Sequence, residues 1–233
     1  MKKLCVTALL LGLFVLLFPL PLRAESDDPI AHMTFFGEST TSHLALRGGI
    51  DPIRVWSNAS GTMRLDSGIL SRTLTDHATG KSVTPAEMAA AYRPEILVLS
   101  FGLNGILSTS ERPEPFFRAY RKLIDGIRAV SPDTRIVIQS ASPVAEAAHQ
   151  RDWKFSVSPR EINRRLTELN SRLRDFCASD PTLTYADTAA ALTDPAGFLR
   201  AEFTTDGIHV LFRPRKPVTP ELRAIDGINP FDN

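Results

Sequence analysis

Met33-Thr34-Phe35-Phe36-Gly37-Glu38-Ser39-Thr40-Thr41-Ser42-His43-Leu44 is a short apolar run that passes a Gly, presents a Ser and continues into residues able to start a helix. A strand that bends into a helix in this way exposes the residue at the bend on the carboxyl edge of a sheet, where open α/β sheets take their ligands. The Thr and Ser hydroxyls that follow can cap the new helix, whose free N–H groups favour negative charge. Ser39 is therefore the candidate nucleophile. The competing reading makes Gly37-Glu38-Ser39 an ordinary strand-to-helix connection with Ser39 as its N-cap, so the decision falls to the rest of the chain.

Outward from this stretch, strand and helix signals alternate. Residues 33–36 read as strand one, and residues 52–57 (Pro-Ile-Arg-Val-Trp-Ser) alternate as a half-buried strand two that runs into a turn at Asn58-Ala59-Ser60-Gly61. Residues 62–82 are ambiguous. Thr84-Pro85-Ala86-Glu87 opens a helix with a capping box and Pro at its first position, ending near Tyr92. Glu95-Ile96-Leu97-Val98-Leu99-Ser100-Phe101 is a continuous apolar run, expected of a central parallel strand covered on both faces. Phe116, Phe117, Tyr120, Leu123, Ile124, Ile127 and Val130 form the stripe of a helix over about 115–130, with a fourth strand at 135–139. Residues 141–157 make a long irregular connection carrying His149, Trp153 and Phe155, a candidate substrate wall. Ser158-Pro159-Arg160-Glu161 is a second capping box before a helix with Ile162, Leu166, Leu169, Leu173 and Phe176 on one face, and 183–186 is a short fifth strand. The pattern predicts an α/β fold: a three-layer α/β/α sandwich around a mostly parallel five-stranded, doubly wound sheet, with the strand-end loops on one edge.

The 233 residues, 43% hydrophobic, are enough for one substantial core. Lys2 and Lys3, the apolar run 4–18 and a small residue at Ala24 read as a signal peptide over 1–24, cleaved on export; left uncut, it would anchor the protein in a membrane. One domain is expected over 25–233. Losing 1–24 removes Lys2, Lys3 and Arg23 and no acid, so 27 basic residues become 24 against 26 acidic, a net −2. That balance carries no nucleic-acid footprint. Arg160, Arg164, Arg165, Arg172 and Arg174 are interleaved with Glu161, Glu168 and Asp175, as on a solvated helix face. Cys177 is alone in the mature chain and falls on the apolar side of its helix, so it reads as a buried thiol. His32, His43, His77 and His149 form no metal-spaced set, and neither a metal nor another cofactor is expected.

Three further clusters follow predicted strands: Gly61, then Gly102-Leu103-Asn104-Gly105, then Asp206-Gly207-Ile208-His209. A Gly N–H can approach a developing oxyanion unobstructed, a carboxamide is a neutral donor, and an Asp three residues before a His suits general-base work. With Gly37-Glu38-Ser39 in front, the four clusters in this order resemble the four blocks of the SGNH (GDSL-type) hydrolase superfamily, in a subgroup with Gly-x-Asn-Gly in block three. The Gly-x-Ser-x-Gly elbow of α/β-hydrolases is not matched, because Thr41 stands at its second Gly.

The resemblance implies an esterase. Ser39 would attack an ester carbonyl, His209 would shuttle the proton, and Asp206 would hold the imidazole. The Ser39 N–H, the Gly61 N–H and the Asn104 amide would form the oxyanion hole, each donor contributing on the order of 3–4 kcal/mol to the transition state. His149 and Trp153 are the candidate substrate-binding residues, and the substrate would be a small-molecule or glycan ester.

Three departures qualify the match. Glu38 replaces the usual Asp before the nucleophile. Gly105 replaces the Asp after the block-three Asn. Beyond about residue 210 the chain becomes Pro-rich, leaving no long closing helix. Two alternatives to an exported esterase follow: a catalytically impaired member serving carbohydrate binding or envelope assembly, and a flavodoxin-like module binding an anion at the helix start after Ser39.

Overall fold

The computed structural model describes residues 29–58, 60, 62–150, 153 and 155–211. The chain divides into two units, Met1–Ala31 and His32–Asn233, and the sheet and candidate site lie in the second. In chain order that unit runs β1 (Met33–Gly37), α1 (Ser39–Arg47), β2 (Val55–Trp56), β3 (Leu74–Thr75), β4 (Ser82–Val83), α2 (Pro85–Tyr92), β5 (Ile96–Ser100), α3 (Ile106–Glu111), α4 (Glu114–Val130), β6 (Arg135–Gln139), α5 (Pro159–Ala178), β7 (Leu183–Ala186) and α6 (Thr188–Leu192).

The main sheet has the order β2-β1-β5-β6-β7, and every pairing is parallel. The expected α/β fold with a five-stranded parallel sheet is the observed one. The strand order reverses between β1 and β5, which makes their carboxyl ends the crevice where such sheets bind ligands. Gly37 pairs with Ser100 at that edge, so the chain segments carrying Ser39 and Asn104 leave the sheet side by side.

Side-chain alternation distributes β5 between two cores. Leu97 and Leu99 join a large cluster with Phe36, Trp56, Phe101, Tyr120, Ile138 and Leu166, whereas Ile96 and Val98 face a smaller one with Met33, Val137 and Ala186. The large cluster receives α4 through Phe116, Tyr120, Leu123, Ile124 and Ile127, the stripe read from sequence, and α5 through Ile162, Leu166, Leu169 and Leu173. Cys177 is buried there, and desolvation pushes its thiol up to about 12, well above the range of a nucleophile.

Several local expectations change. Strand two shrinks to Val55–Trp56, because Asp51 accepts the Ile53 N–H at 3.0 Å and caps a 3-10 turn over Pro52–Arg54. The ambiguous 62–82 region holds the antiparallel β3–β4 pair. Two short helices, α3 and α6, had no clear signal. The Thr84–Glu87 box is complete, but the second is only half made. Ser158 Oγ accepts the Glu161 N–H at 3.3 Å, while the Glu161 carboxylate turns to Arg164 and Arg165. The leader, the cleavage point and the tail beyond residue 211 lie outside the described residues. Among the described residues no helix is long and apolar enough to cross a membrane.

Candidate active site

Ser39 is the first residue of α1, so its N–H is one of the helix-terminal donors that lack an intrahelical partner. It is not the N-cap. Glu38 holds that position and makes no side-chain capping bond, and the Ser42 hydroxyl, one of the expected caps, has no hydrogen-bond partner among the described residues. Gly37 is required here by close approach: a Cβ would run into the Ser100 carbonyl oxygen and Thr41 Oγ1.

The Glu38 carboxylate instead reaches across the sheet edge. It accepts the Gly102 N–H at 2.8 Å and the Asn104 N–H at 3.0 Å, tying block three to the residue beside Ser39. Burial pushes Glu38 up to about 7, against the pull of those N–H groups and of the Arg64 charge. The Asn104 amide donates one N–H to the Met63 carbonyl at 2.9 Å and keeps a second one. Gly105 leaves room for Arg64: a Cβ there would overlap the guanidinium, which donates to Ser108 Oγ at 2.6 Å.

The opposite side of the site comes from residues 204–211, which contain no regular helix or strand. Asp206 Oδ1 accepts the Ile208 N–H at 2.9 Å and the His209 N–H at 2.8 Å, while Oδ2 lies 2.7 Å from His209 Nδ1. Burial works against the charge of Asp206, but the His209 and Ile208 contacts outweigh it and hold the carboxyl well below the usual range. An ionised carboxylate can only accept, so Nδ1 carries the imidazole proton. Nε2 is then free to accept the Ser39 hydroxyl, whose Oγ is 2.9 Å away. A serine oxygen, an imidazole and a carboxylate thus form one continuous hydrogen-bonded line.

This segment is anchored by long-range ties. Gly207 has φ +82°, and a Cβ on it would sit 2.6 Å from Ala148 Cα; its carbonyl accepts the Ala145 N–H at 2.7 Å. Val210 is buried in a small cluster with Ala145, Leu192 and Leu199. The connection after β6 is in turn fixed to α5 by two asparagines two turns apart. Asn170 exchanges bonds with Ala141 at 2.8 and 3.0 Å; Asn163 exchanges two with Val144 at 2.8 Å and donates to the Gly197 carbonyl at 2.9 Å. The connection expected to wall the substrate thus also seats the His209 segment, through Ala145 and Ala148.

Of the site residues read from sequence, Ser39, Asp206 and His209 meet directly, and Asn104 is tied to the same edge. Gly61 lies outside the described residues. His149 falls in the 3-10 turn Glu146–Gln150, and its side chain also lies outside them. Trp153 donates its indole N–H to the Val157 carbonyl at 2.9 Å and tilts against Phe155, with ring centroids 4.9 Å apart. Both rings line a cleft of about 350 Å³ with residues 156–159. None of the described contacts joins Trp153 to Ser39, Asp206 or His209. Among the described residues no group of three or more His, Cys, Asp or Glu could hold a metal.

One neighbour escaped the sequence reading. His43, four residues after Ser39 on α1, lies against His209 with ring centroids 4.2 Å apart and an interplanar angle of 37°. The available signal was its helical spacing from Ser39.

Residues 35–210 match the model of the GDSL-like lipase/acylhydrolase family. No curated protein matches the chain. Among solved structures, a Streptococcus pneumonia protein provisionally described as a platelet activating factor is similar at 20% identity, covering 77% of this chain and 76% of its own with a TM-score of 0.53. A GDSL-like lipase from Bacteroides thetaiotaomicron VPI-5482 is 13% identical, with 84% of each chain covered and a TM-score of 0.47. A carbohydrate esterase family 3 protein from Talaromyces cellulolyticus is 13% identical over 84% of this chain and 92% of its own, with a TM-score of 0.48.

Proposed function

The chain belongs to the GDSL-like lipase/acylhydrolase family, and from that membership we propose that it is a serine esterase working through Ser39, His209 and Asp206. The observation that carries this reading is the bridging position of His209, 2.7 Å from Asp206 and 2.9 Å from Ser39 Oγ. As Ser39 Oγ attacks an ester carbonyl, Nε2 takes the hydroxyl proton and Asp206 stabilises the imidazolium that forms. The oxyanion is received by the Ser39 N–H, the remaining Asn104 amide N–H and the Gly61 N–H. Collapse expels the alkoxide with the proton from Nε2, and water repeats the sequence on the acyl-enzyme to release acid and free Ser39.

The substrate we propose is a short acyl group, such as acetyl, on an envelope carbohydrate. The export-type start of the chain, with Lys2, Lys3 and the apolar run that ends before Ala24, supports the envelope setting of that substrate. Export predicts a mature N-terminus at Glu25, which N-terminal sequencing of the protein from its native compartment reads directly. A fluorophosphonate probe tests the chemistry: wild type is labelled on Ser39, and Ser39→Ala is not. A folded wild-type protein that resists labelling would return the chain to the non-catalytic, carbohydrate-binding alternative.

A further inference from the structure

Hydrogen bonds at the two ring nitrogens of an imidazole lie in the ring plane, so together with the Cβ–Cγ bond they resist tilt out of that plane only as firmly as soft hydrogen-bond angles allow. His209 is in this position, with Asp206 at Nδ1 and Ser39 at Nε2. A contact on the face of the ring stiffens it against that tilt, and His43 supplies one, 4.2 Å away between centroids and inclined at 37°. Ser39 and His43 stand one turn apart on the same face of α1. His209 therefore docks on a single helix twice, by its edge and by its face.

We propose that His43 is a positioning residue, the neutral ring that fixes the tilt of the His209 imidazole toward Ser39, a role that rests on the esterase reading above. The charges around it are His209 and Asp206 from the segment opposite and Arg47 from its own helix. Burial above all, then the fields of His209 and Arg47, lowers the affinity of His43 for a proton, with Asp206 acting in the other direction. Its Nδ1 is buried without a hydrogen-bond partner among the described residues, so a second ring proton would be left unpaired. His43 thus remains neutral while His209 becomes a cation. A neutral aromatic face attracts that cation, whereas a protonated one would repel it. The geometric demand is strict, since small misplacements of a reacting group cost large factors in rate.

The test compares His43→Ala, His43→Leu and His43→Phe on p-nitrophenyl acetate, with Ser39→Ala in the same assay and circular dichroism as the folding check. Removing the ring lowers kcat by about tenfold with KM unchanged, because only proton transfer is misaligned. Phe restores kcat to within about threefold of wild type, since it supplies a flat face without a titrating nitrogen. Leu fills the volume without the plane and stays low, so the Leu–Phe comparison decides the matter if the Ala variant does not fold. Wild-type kcat in His43→Ala, equal kcat in the Leu and Phe variants, or a loss that Phe does not restore overturns the role of His43. Activity persisting in Ser39→Ala is a different failure, that of the esterase reading itself.

Discussion

The two halves of the candidate site are built by different means. Ser39 and Asn104 leave the ends of neighbouring parallel strands, over a core in which Phe36, Leu99 and Phe101 are buried. Asp206 and His209 sit on a segment without regular structure, held by its own carboxylate turn and by contacts with Ala145 and Ala148. Each half contains a carboxyl group, and the two are driven in opposite directions. Glu38, closed in beneath the sheet edge, is pushed toward neutrality; Asp206, wrapped in N–H donors, is kept ionised. Environments that separate two carboxyls in this way assign their work. Asp206 can orient and stabilise an imidazolium, while Glu38 spends its hydrogen bonds on holding block three beside Ser39.

The sharpest way to break the comparison is Asp206→Asn. It replaces the charge that fixes the Nδ1–H tautomer while leaving the strand-built half untouched. We expect turnover of p-nitrophenyl acetate to fall by about 10⁴-fold, the scale seen when a triad carboxylate is made neutral, with the chain still folded by circular dichroism. Near-normal turnover would remove Asp206 from the mechanism.

Asn163→Ala comes next. Its side chain makes three bonds that tie Val144 and Gly197 to α5, and their loss strands buried backbone groups. Urea unfolding should show a loss of about 3 kcal/mol. Activity should decline before the sheet melts, because the ties that fail are those behind the His209 segment.

Glu38 offers a test of comparable size through pH. Its folded value is about 7 against an ordinary 4.5, so between those limits the unfolded chain ionises the group while the folded chain keeps it protonated. The unfolded state then binds fewer protons, and stability falls as pH rises through this window, by up to about 3 kcal/mol. Urea titrations from pH 4 to 8 should show that decline in wild type and a flatter profile in Glu38→Gln. Parallel profiles in the two proteins would contradict it.

The smallest effect is expected far from both halves. Thr84→Ala removes the completed capping box of α2 and should cost about 1 kcal/mol with turnover unchanged.

The sequence discloses the strand-built half far better than the other, for a physical reason. β5 and β6 are continuous apolar runs and α4 carries a full stripe, so local composition already contains their burial. The second capping box misleads because Arg164 and Arg165 compete for Glu161, an outcome the Ser-x-x-Glu spacing does not encode. α3 begins at a glycine and reads Ile-Leu-Ser-Thr-Ser-Glu, too short for a stripe, and the burial of Ile106 and Thr109 sustains it. The seat of His209 depends on Asn163 and Asn170 reaching Val144 and Ala141 across 19 and 29 residues of chain, and no local pattern announces such ties. The residue types of blocks one, three and four were legible, and the meeting of blocks one and three at one edge followed from the parallel pairing of β1 with β5. The tilted contact of His43 with His209 was not, since it needs the segment after β7 to be brought back onto α1.

The most direct measurement of the central claim is the first turnover of p-nitrophenyl acetate by stopped flow. An acyl-enzyme on Ser39 predicts a burst of p-nitrophenol stoichiometric with folded protein, followed by a slower steady rate, with both phases abolished in Ser39→Ala. Release that proceeds at the same rate in wild type and Ser39→Ala would contradict the account.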